Sequence, residues 1–146
     1  MLIIGIGNPD RGDDAAGILV ARRLRERGIE AIEHACAMLN LLDLWATGDR
    51  VILADAVVYK AAAGSIQVWD PWKEPLQRIT FRASTHEFNL ADTIELARTL
   101  GRLPKWMRIY GIEGRDFEAG TGPCEEVASA ADRVAEEIAG RFSARS

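Results

Sequence analysis

Several features of membrane, secreted and nucleic-acid-binding proteins are missing from this sequence. Its two cysteines, Cys36 and Cys124, lie far apart and match no CxxC pattern, which excludes a zinc site built on cysteine and predicts free thiols in a reducing compartment. No apolar run approaches the roughly 18 residues of a membrane span, and no basic segment leads into a short apolar one as in a signal peptide. The formal net charge is −4, and nucleic acids are bound largely through Lys and Arg. We therefore expect a cytoplasmic protein with no membrane and no nucleic acid partner.

The composition is that of one globular domain. Of the 146 residues, 48% are hydrophobic and 27% are charged, which is enough apolar material for one sizeable core. The sequence contains no internal repeat, no low-complexity tract and no linker-like stretch. A single domain over residues 1–146 is predicted.

Strand-like and helical patterns alternate along the chain. Short apolar runs predict strands at residues 2–6, 29–33, 51–58 and 106–111. Helical spacing predicts helices at residues 15–27, 38–45, 89–100 and 123–141. Residues 65–69 alternate and predict an edge strand, antiparallel to the strand before it in a hairpin, and residues 79–82 form a further short extended piece. This alternation predicts an α/β fold, a three-layer sandwich with a mostly parallel sheet.

The segment at residues 5–17, GIGNPDRGDDAAG, combines a strand end, a glycine turn and two acids. Asn8-Pro9 cannot continue a strand, and Gly12 permits a positive φ. Asp13 and Asp14 then come directly before a helical pattern. Ligands of open α/β sheets bind outside the carboxyl ends of the strands, so this turn is predicted to form part of a binding or catalytic site.

Polar side chains also follow the other predicted strands. His34 and Glu113 come at strand ends, and Asp55 interrupts the apolar run VILADAVV. An ionised carboxylate inside such a strand costs several kcal/mol unless it is paired, so Asp55 is the hardest of these residues to explain by structure alone. All of these side chains are expected at one edge of the sheet.

His86 is the second of only two histidines and stands at the start of a predicted helix. The positive end of the helix dipole disfavours a protonated ring there, which leaves the imidazole available as a ligand or a base. Two aspartates and one neutral imidazole can hold a divalent metal such as nickel or zinc and leave positions open for a substrate. His34 is a rival ligand.

Each candidate also has a plainer interpretation. Asp13 suits a helix cap, Asp14 suits the first turn of a helix, His86 suits a cap or a core position, and Glu113 suits an exposed turn. The four tryptophans are more typical of a core or an interface than of a cofactor site; they are Trp45, Trp69, Trp72 and Trp106.

The sequence resembles the hydrogenase maturation endopeptidases. Five motifs in matching order carry the resemblance: GIGNPDRGDDAAG from Gly5, LADAV from Leu53, STHEFNLAD from Ser84, LPKWMRIYGIE from Leu103 and GTGPCEEVASA from Gly120. The resemblance implies a five-stranded twisted sheet, mostly parallel with one antiparallel strand and helices on both faces, of the phosphorylase/hydrolase-like kind. It also implies a peptidase that removes the C-terminal extension from the large-subunit precursor of a nickel-iron hydrogenase.

The same resemblance implies a role for three side chains. The metal-contacting residues of the family correspond by position to Asp14, Asp55 and His86. The metal is nickel carried by the precursor, and the protease is expected to have no tightly bound cofactor of its own. Two mechanisms are open: the ion polarises the carbonyl or a bound water, or an aspartate acts as general base on a water.

The chain departs from the family pattern after its second predicted strand. Many members have a Gly-Thr pair there followed by another glycine, whereas this chain has Ala35-Cys36 and then Met38, with His34 just before. The difference affects the loop and the choice of precursor rather than the three predicted ligands.

Three other functions fit parts of the sequence, and the residues argue against two of them. A peptidyl-tRNA hydrolase shares the GxGNP turn but expects a histidine soon after it, where this chain has Asp13-Asp14. A dinucleotide-binding module would need glycine where Asp10 stands. A non-catalytic nickel-sensing chaperone for the large subunit would use the same O, O, N set and would bind without cutting.

Overall fold

The structure is a computed structural model, described here for residues 1–35, 40–45, 49–59, 61–74, 80–81 and 90–142. The strands in these residues are β1 (Leu2–Ile6), β2 (Ile32–His34), β3 (Arg50–Val58), β4 (Ile66–Trp69), β5 (Thr80–Phe81) and β6 (Trp106–Glu113). The helices are α1 (Ala16–Glu26), α2 (Asn40–Trp45), α3 (Leu90–Thr99) and α4 (Glu125–Phe142), and a 3-10 turn (Gly12–Ala15) precedes α1. No helix of the described residues is long and apolar enough to cross a membrane.

The sheet confirms the predicted fold class. Its strand order is β2-β1-β3-β6-β4. The pairs among β2, β1, β3 and β6 are parallel, and β4 is antiparallel to β6. The short β5 lies off this path and pairs antiparallel with Val57 and Val58 of β3. Val57 also pairs with β6, so β5 must lie on the other side of β3. This is the side on which β1 pairs with residues 51–54.

The predicted hairpin partner of residues 65–69 is wrong. β4 pairs with β6 and not with β3, because β1 and β6 already occupy the two edges of β3. Gly111 of β6 makes room for this edge strand, since an added Cβ there would lie 2.4 Å from the ring of Trp69. The sheet therefore ends in an antiparallel strand, as predicted, but on a different neighbour.

Two predicted boundaries shift by two residues. β6 continues to Glu113, which pairs with Val57 and so belongs to the sheet instead of an exposed turn. α4 begins at Glu125 because the carbonyl of Cys124 accepts the first helical hydrogen bond, from the N–H of Ala128 at 3.0 Å. The predicted start of the helix at residues 38–45 lies outside the described residues, as does the predicted start of the helix at residues 89–100.

The two faces of the sheet pack into two cores. Leu53 and Val57 of β3 point into a core shared with α2 and α3, the α2–α3 core. Ile52, Ala54 and Ala56 point into a core shared with α1 and α4, the α1–α4 core. This alternation is the two-residue period of a strand and confirms the three layers. Among the tryptophans, Trp45 and Trp69 are buried in the α2–α3 core, Trp106 packs against the α1–α4 core, and Trp72 is exposed.

Helix α1 lies unusually close to the strands beneath it. A Cβ on Gly17 would lie 2.2 Å from the carbonyl oxygen of Ala54 and 2.3 Å from that of Ile6, and a Cβ on Gly5 would lie 2.1 Å from the carbonyl oxygen of Gly17. Only glycine fits at these two positions. The contact sets the first turn of α1, and with it the preceding 3-10 turn, against the carboxyl ends of β1 and β3.

Candidate functional site

The carboxyl ends of the parallel strands carry a set of buried polar side chains. Each is at most 6% exposed: Asp13, Asp14, His34, Asp55 and Glu113. The first two lie in the 3-10 turn after β1, and the others lie on β2, β3 and β6. The prediction that they share one edge of the sheet is confirmed by the parallel register of these strands.

Asp55 is fully buried in the middle of the sheet. Its neighbours two residues away, Leu53 and Val57, belong to the α2–α3 core, so the carboxylate lies on that face. Its Oδ1 accepts the N–H of Ala56 at 2.7 Å. A charged group at this depth costs several kcal/mol of stability, so its presence in an otherwise apolar strand indicates a function.

His34 lies in the same row across the sheet as Asp55. It pairs with Ile6, and continuing the β1–β3 register by one residue places Ile6 beside Asp55 as well. His34 and Asp55 therefore stand on one face, two strands or about 10 Å apart in the backbone. The carbonyl of His34 also accepts the N–H of Gly7 at 3.2 Å and so supports the turn after β1.

Asp14 is held by its backbone on both sides. Its N–H donates to the carbonyl of Arg11 at 3.0 Å, and its own carbonyl accepts the N–H of Asn8 at 3.2 Å. An added Cβ on Gly7 would lie 2.1 Å from the carbonyl oxygen of Asp14, so Gly7 allows the two stretches of chain to meet. Asp14 is buried, with 6% of its surface exposed, so the turn after β1 holds a second buried acid at this edge.

Asp13 makes contacts that its sequence position did not predict. It does not cap its own turn; its Oδ2 accepts the N–H of Arg115 at 2.7 Å and of Asp116 at 3.0 Å, and its Oδ1 accepts that of Cys124 at 2.7 Å. Burial alone would raise the pKa of Asp13, but the hydrogen bonds from Asp116, Cys124 and Arg115 outweigh it and lower the pKa below its usual value. Asp13 is thus an ionised group used for structure.

Glu113 also has a structural partner. Its two carboxylate oxygens accept the N–H of Tyr59 at 2.9 and 3.0 Å. This bond fixes the chain just after β3, beyond Asp55. The buried position of Glu113 replaces the exposed turn that was one interpretation of its sequence.

His86 lies outside the described residues, as do Cys36 and Met38. Within the part of the chain that is described, no three His, Cys, Asp or Glu side chains are grouped closely enough to hold a metal ion. Asp14 and Asp55 share an edge, and the three-residue set with His86 stays a prediction.

Two cavities are lined by side chains other than these acids. One, of about 410 Å³, lies at the start of α4 beside Gly64 and Glu126. The other, of about 310 Å³, lies at the opposite edge of the sheet beside Met1 and Phe142. Neither of these two cavities contributes to the candidate site, which is defined by the buried acids at the strand ends.

The fold and the buried acids define the class of the protein. It is a three-layer α/β domain with acids at the carboxyl ends of its parallel strands, which is where ligands of such sheets bind. A family model described as hydrogenase maturation protease matches residues 19–141. The chain belongs to the hydrogenase maturation protease family and is a peptidase. The matched range includes Asp55 and His86 and begins after Asp14.

Two characterised relatives are similar over most of this chain. The hydrogenase 2 maturation protease of Escherichia coli (strain K12) is 28% identical over 144 residues, which cover 94% of this chain and 87% of that protein. The hydrogenase expression/formation protein HupM of Azotobacter chroococcum mcd 1 is 28% identical over 131 residues, which cover 86% of this chain and 63% of HupM.

Solved structures of this family share the fold. The hydrogenase maturating endopeptidase HybD from Escherichia coli aligns with a TM-score of 0.79 at 25% identity, over 99% of this chain and 92% of that one. The [NiFe] hydrogenase maturation protease HycI from Thermococcus kodakarensis KOD1 aligns with a TM-score of 0.71 at 27% identity, over 95% of this chain and 89% of that one.

Proposed function

We propose that this peptidase removes the C-terminal extension of a nickel-iron hydrogenase large-subunit precursor in the cytoplasm. The family, the end-to-end likeness to hydrogenase maturation proteases and the shared fold support this substrate class. The single observation that carries the proposal is Asp55, a fully buried carboxylate at the carboxyl edge of an apolar strand. A buried carboxylate in an apolar strand, at the place where ligands of such sheets bind, is a candidate for a binding or catalytic role.

Nickel in the precursor is the recognition signal in this proposal, and Asp14, Asp55 and His86 are its ligands. Described elements flank the segment that carries His86: Phe81 pairs with Val57, two residues beyond Asp55, and α3 packs on the same face as Asp55. Five residues of chain from Phe81 to His86 span at most about 17 Å, a length compatible with His86 as a third ligand in this proposal. Two carboxylates and an imidazole suit a divalent transition metal. The ion arrives with the substrate, so the protease needs no cofactor of its own.

Docking on the nickel would place one peptide bond of the precursor beside the site, so much of the rate enhancement would come from positioning. In the reaction the oxygen of a water bonds to the carbonyl carbon, the C–N bond breaks, and the leaving amine takes a proton. Two routes could promote this attack. In the first the ion polarises the carbonyl or the water, and in the second one aspartate takes the proton of the water as general base. Asp14 and Asp55, both buried, are the carboxylates available for the second route.

The proposal is tested by mixing the protein with nickel-loaded and nickel-free precursor and measuring intact masses. We expect the loaded precursor to lose its C-terminal extension and the nickel-free precursor to remain whole. Binding of the loaded precursor without any change in mass would contradict the protease assignment and favour a nickel-sensing chaperone. Equal trimming of both precursors would contradict nickel recognition and leave the protease assignment in place.

Variants of the predicted ligands test the residue roles. Asp55→Ala and His86→Ala should each lower the trimming rate by at least about 100-fold. Mutating a residue that only supports a metal ligand already lowers activity about 10- to 100-fold, and loss of the ligand itself should lower it more. His34→Ala is the matched control, a histidine at the same edge that should leave most of the rate. Circular dichroism shows whether each variant is folded. A folded Asp55→Ala protein that trims at the parent rate would refute the assignment.

A further inference from the structure

Two segments far apart in the sequence are tied together beside Asp14. Besides the three N–H bonds to the Asp13 carboxylate, the N–H of Asp13 donates to the carbonyl of Asp116 at 2.7 Å. The N–H of Gly12 donates to the carbonyl of Thr121 at 2.9 Å, and the N–H of Gly120 donates to that of Asp10 at 2.8 Å. Residues 10–13 and 115–124 therefore form one bonded unit, which we call the Asp13 tie.

The Asp13 tie is tightly packed as well as hydrogen-bonded. Gly12 has a φ of 56°, and an added Cβ would lie 2.4 Å from the carbonyl oxygen of Asp116 and 2.9 Å from Oγ1 of Thr121. Thr121 in turn donates its hydroxyl to the carbonyl of Glu118 at 2.7 Å. Asp13 itself is fully buried. A shift of either segment would cost the buried carboxylate of Asp13 its hydrogen bonds, so the positions of the two segments are coupled.

The geometry points to Asp13 as the positioning residue for Asp14 in the peptidase reaction. This inference rests on the proposed function, in which Asp14 contacts the nickel of the precursor. Asp14 directly follows the tie, and on its other side its carbonyl meets Gly7 and the N–H of Asn8. Asp13 on one side and the turn after β1 on the other thus fix the Cα of Asp14. A misplacement of about 1 Å at a reacting group can slow a reaction about 100-fold.

The test compares Asp13→Asn with Asp10→Asn on nickel-loaded precursor. The amide of Asn keeps the size of the side chain but replaces one accepting oxygen with a donor, so it opposes an N–H of residues 115–124. We expect kcat per folded molecule to fall about 100-fold and KM for the nickel-loaded precursor to rise, because a displaced Asp14 misplaces the reacting groups and also contacts the nickel less well. Hydrogen exchange at the amides of Arg115 and Cys124 should become faster. Asp10 joins the tie only through its backbone carbonyl, so Asp10→Asn keeps that hydrogen bond, removes an equal charge at an exposed side chain of the same turn and should leave kcat unchanged.

A second variant keeps the inference testable if Asp13→Asn does not fold. Thr121→Ala removes the hydroxyl that donates to the carbonyl of Glu118 and leaves both aspartates in place, and it should lower kcat about tenfold. An unchanged kcat in folded Asp13→Asn, or in Thr121→Ala when Asp13→Asn is unfolded, would overturn the inference. Failure of the proposed function is distinguishable, because it appears in the wild-type reaction itself as an untrimmed precursor.

Discussion

Replacing Gly17 with alanine should destabilise the protein, although alanine is the better helix former. The added Cβ would lie 2.2 Å from the carbonyl oxygen of Ala54, 2.3 Å from that of Ile6 and 2.8 Å from the nitrogen of Ile6. Ordinary contacts are about 3.5 Å, and all three atoms belong to the backbone of the sheet, so no side-chain rotation relieves the overlap. Helix α1 must move away from β1 and β3 by about 1 Å.

The size of the effect follows from two opposing contributions. Alanine is favoured over glycine inside a helix by about 1 kcal/mol. Overpacking a core costs roughly 1–3 kcal/mol. The added Cβ overlaps two carbonyl oxygens, so we expect Gly17→Ala to cost an amount near the upper end of this range. The net loss is about 2 kcal/mol of unfolding free energy, which lowers Tm by about 6 °C for a domain of this size. Because Asp14 lies three residues before Gly17, trimming should slow as well.

Gly140→Ala is the matched control for this experiment. Gly140 lies in α4, and an added Cβ there would meet no atom within 4 Å. Alanine should therefore stabilise that helix by up to about 1 kcal/mol. Urea unfolding followed by circular dichroism measures both variants. If Gly17→Ala were neutral or stabilising, the close seating of α1 on the strands would be refuted.

Two further predictions concern buried polar groups. Burial, and then Glu137, raise the pKa of Tyr110 to about 12 from its ordinary value of 10.0. The folded state therefore favours the neutral phenol, and this contribution to stability is fully present below pH 10. It is lost between about pH 10 and 12 and amounts to roughly 2–3 kcal/mol of unfolding free energy. Alkaline unfolding and the phenolate absorbance of Tyr59→Phe, which leaves Tyr110 as the only tyrosine, check this, and a midpoint near 10 in the folded protein would contradict it. Glu113→Ala should cost about 2 kcal/mol by leaving the N–H of Tyr59 without its carboxylate, whereas Glu113→Gln keeps an acceptor and should cost less. Equal losses of Tm in the two variants would show that the bond to Tyr59 is not the cause.

The strands and the buried acid Asp55 were predictable because they depend on local pattern. Buried parallel strands require uninterrupted apolar runs, and residues 2–6 and 51–58 supply them, in agreement with β1 and β3. The same rule made Asp55 conspicuous, since a charge in such a run has no local explanation. Its full burial agrees with that reasoning.

Pairings between distant segments were not predictable in the same way. The antiparallel character of β4 follows from its short alternating sequence, but its partner depends on which sheet edge is open after β1 and β6 have paired with β3. The contacts of Asp13 are a second case. Its partners are backbone N–H groups 102 to 111 residues away, and every residue except proline has such a group, so no side-chain pattern marks them.

Random mutagenesis of this chain should return many inactive variants from β3, because its side chains contribute in turn to the α2–α3 core and the α1–α4 core. Most of these variants would be inactive through misfolding, and they would say little about chemistry. Selections for altered client preference are better directed at Val58 and Tyr59, where the strand emerges beyond Asp55 and its side chains become exposed. There a substitution changes the exposed surface just beyond Asp55 while the sheet beneath keeps its architecture.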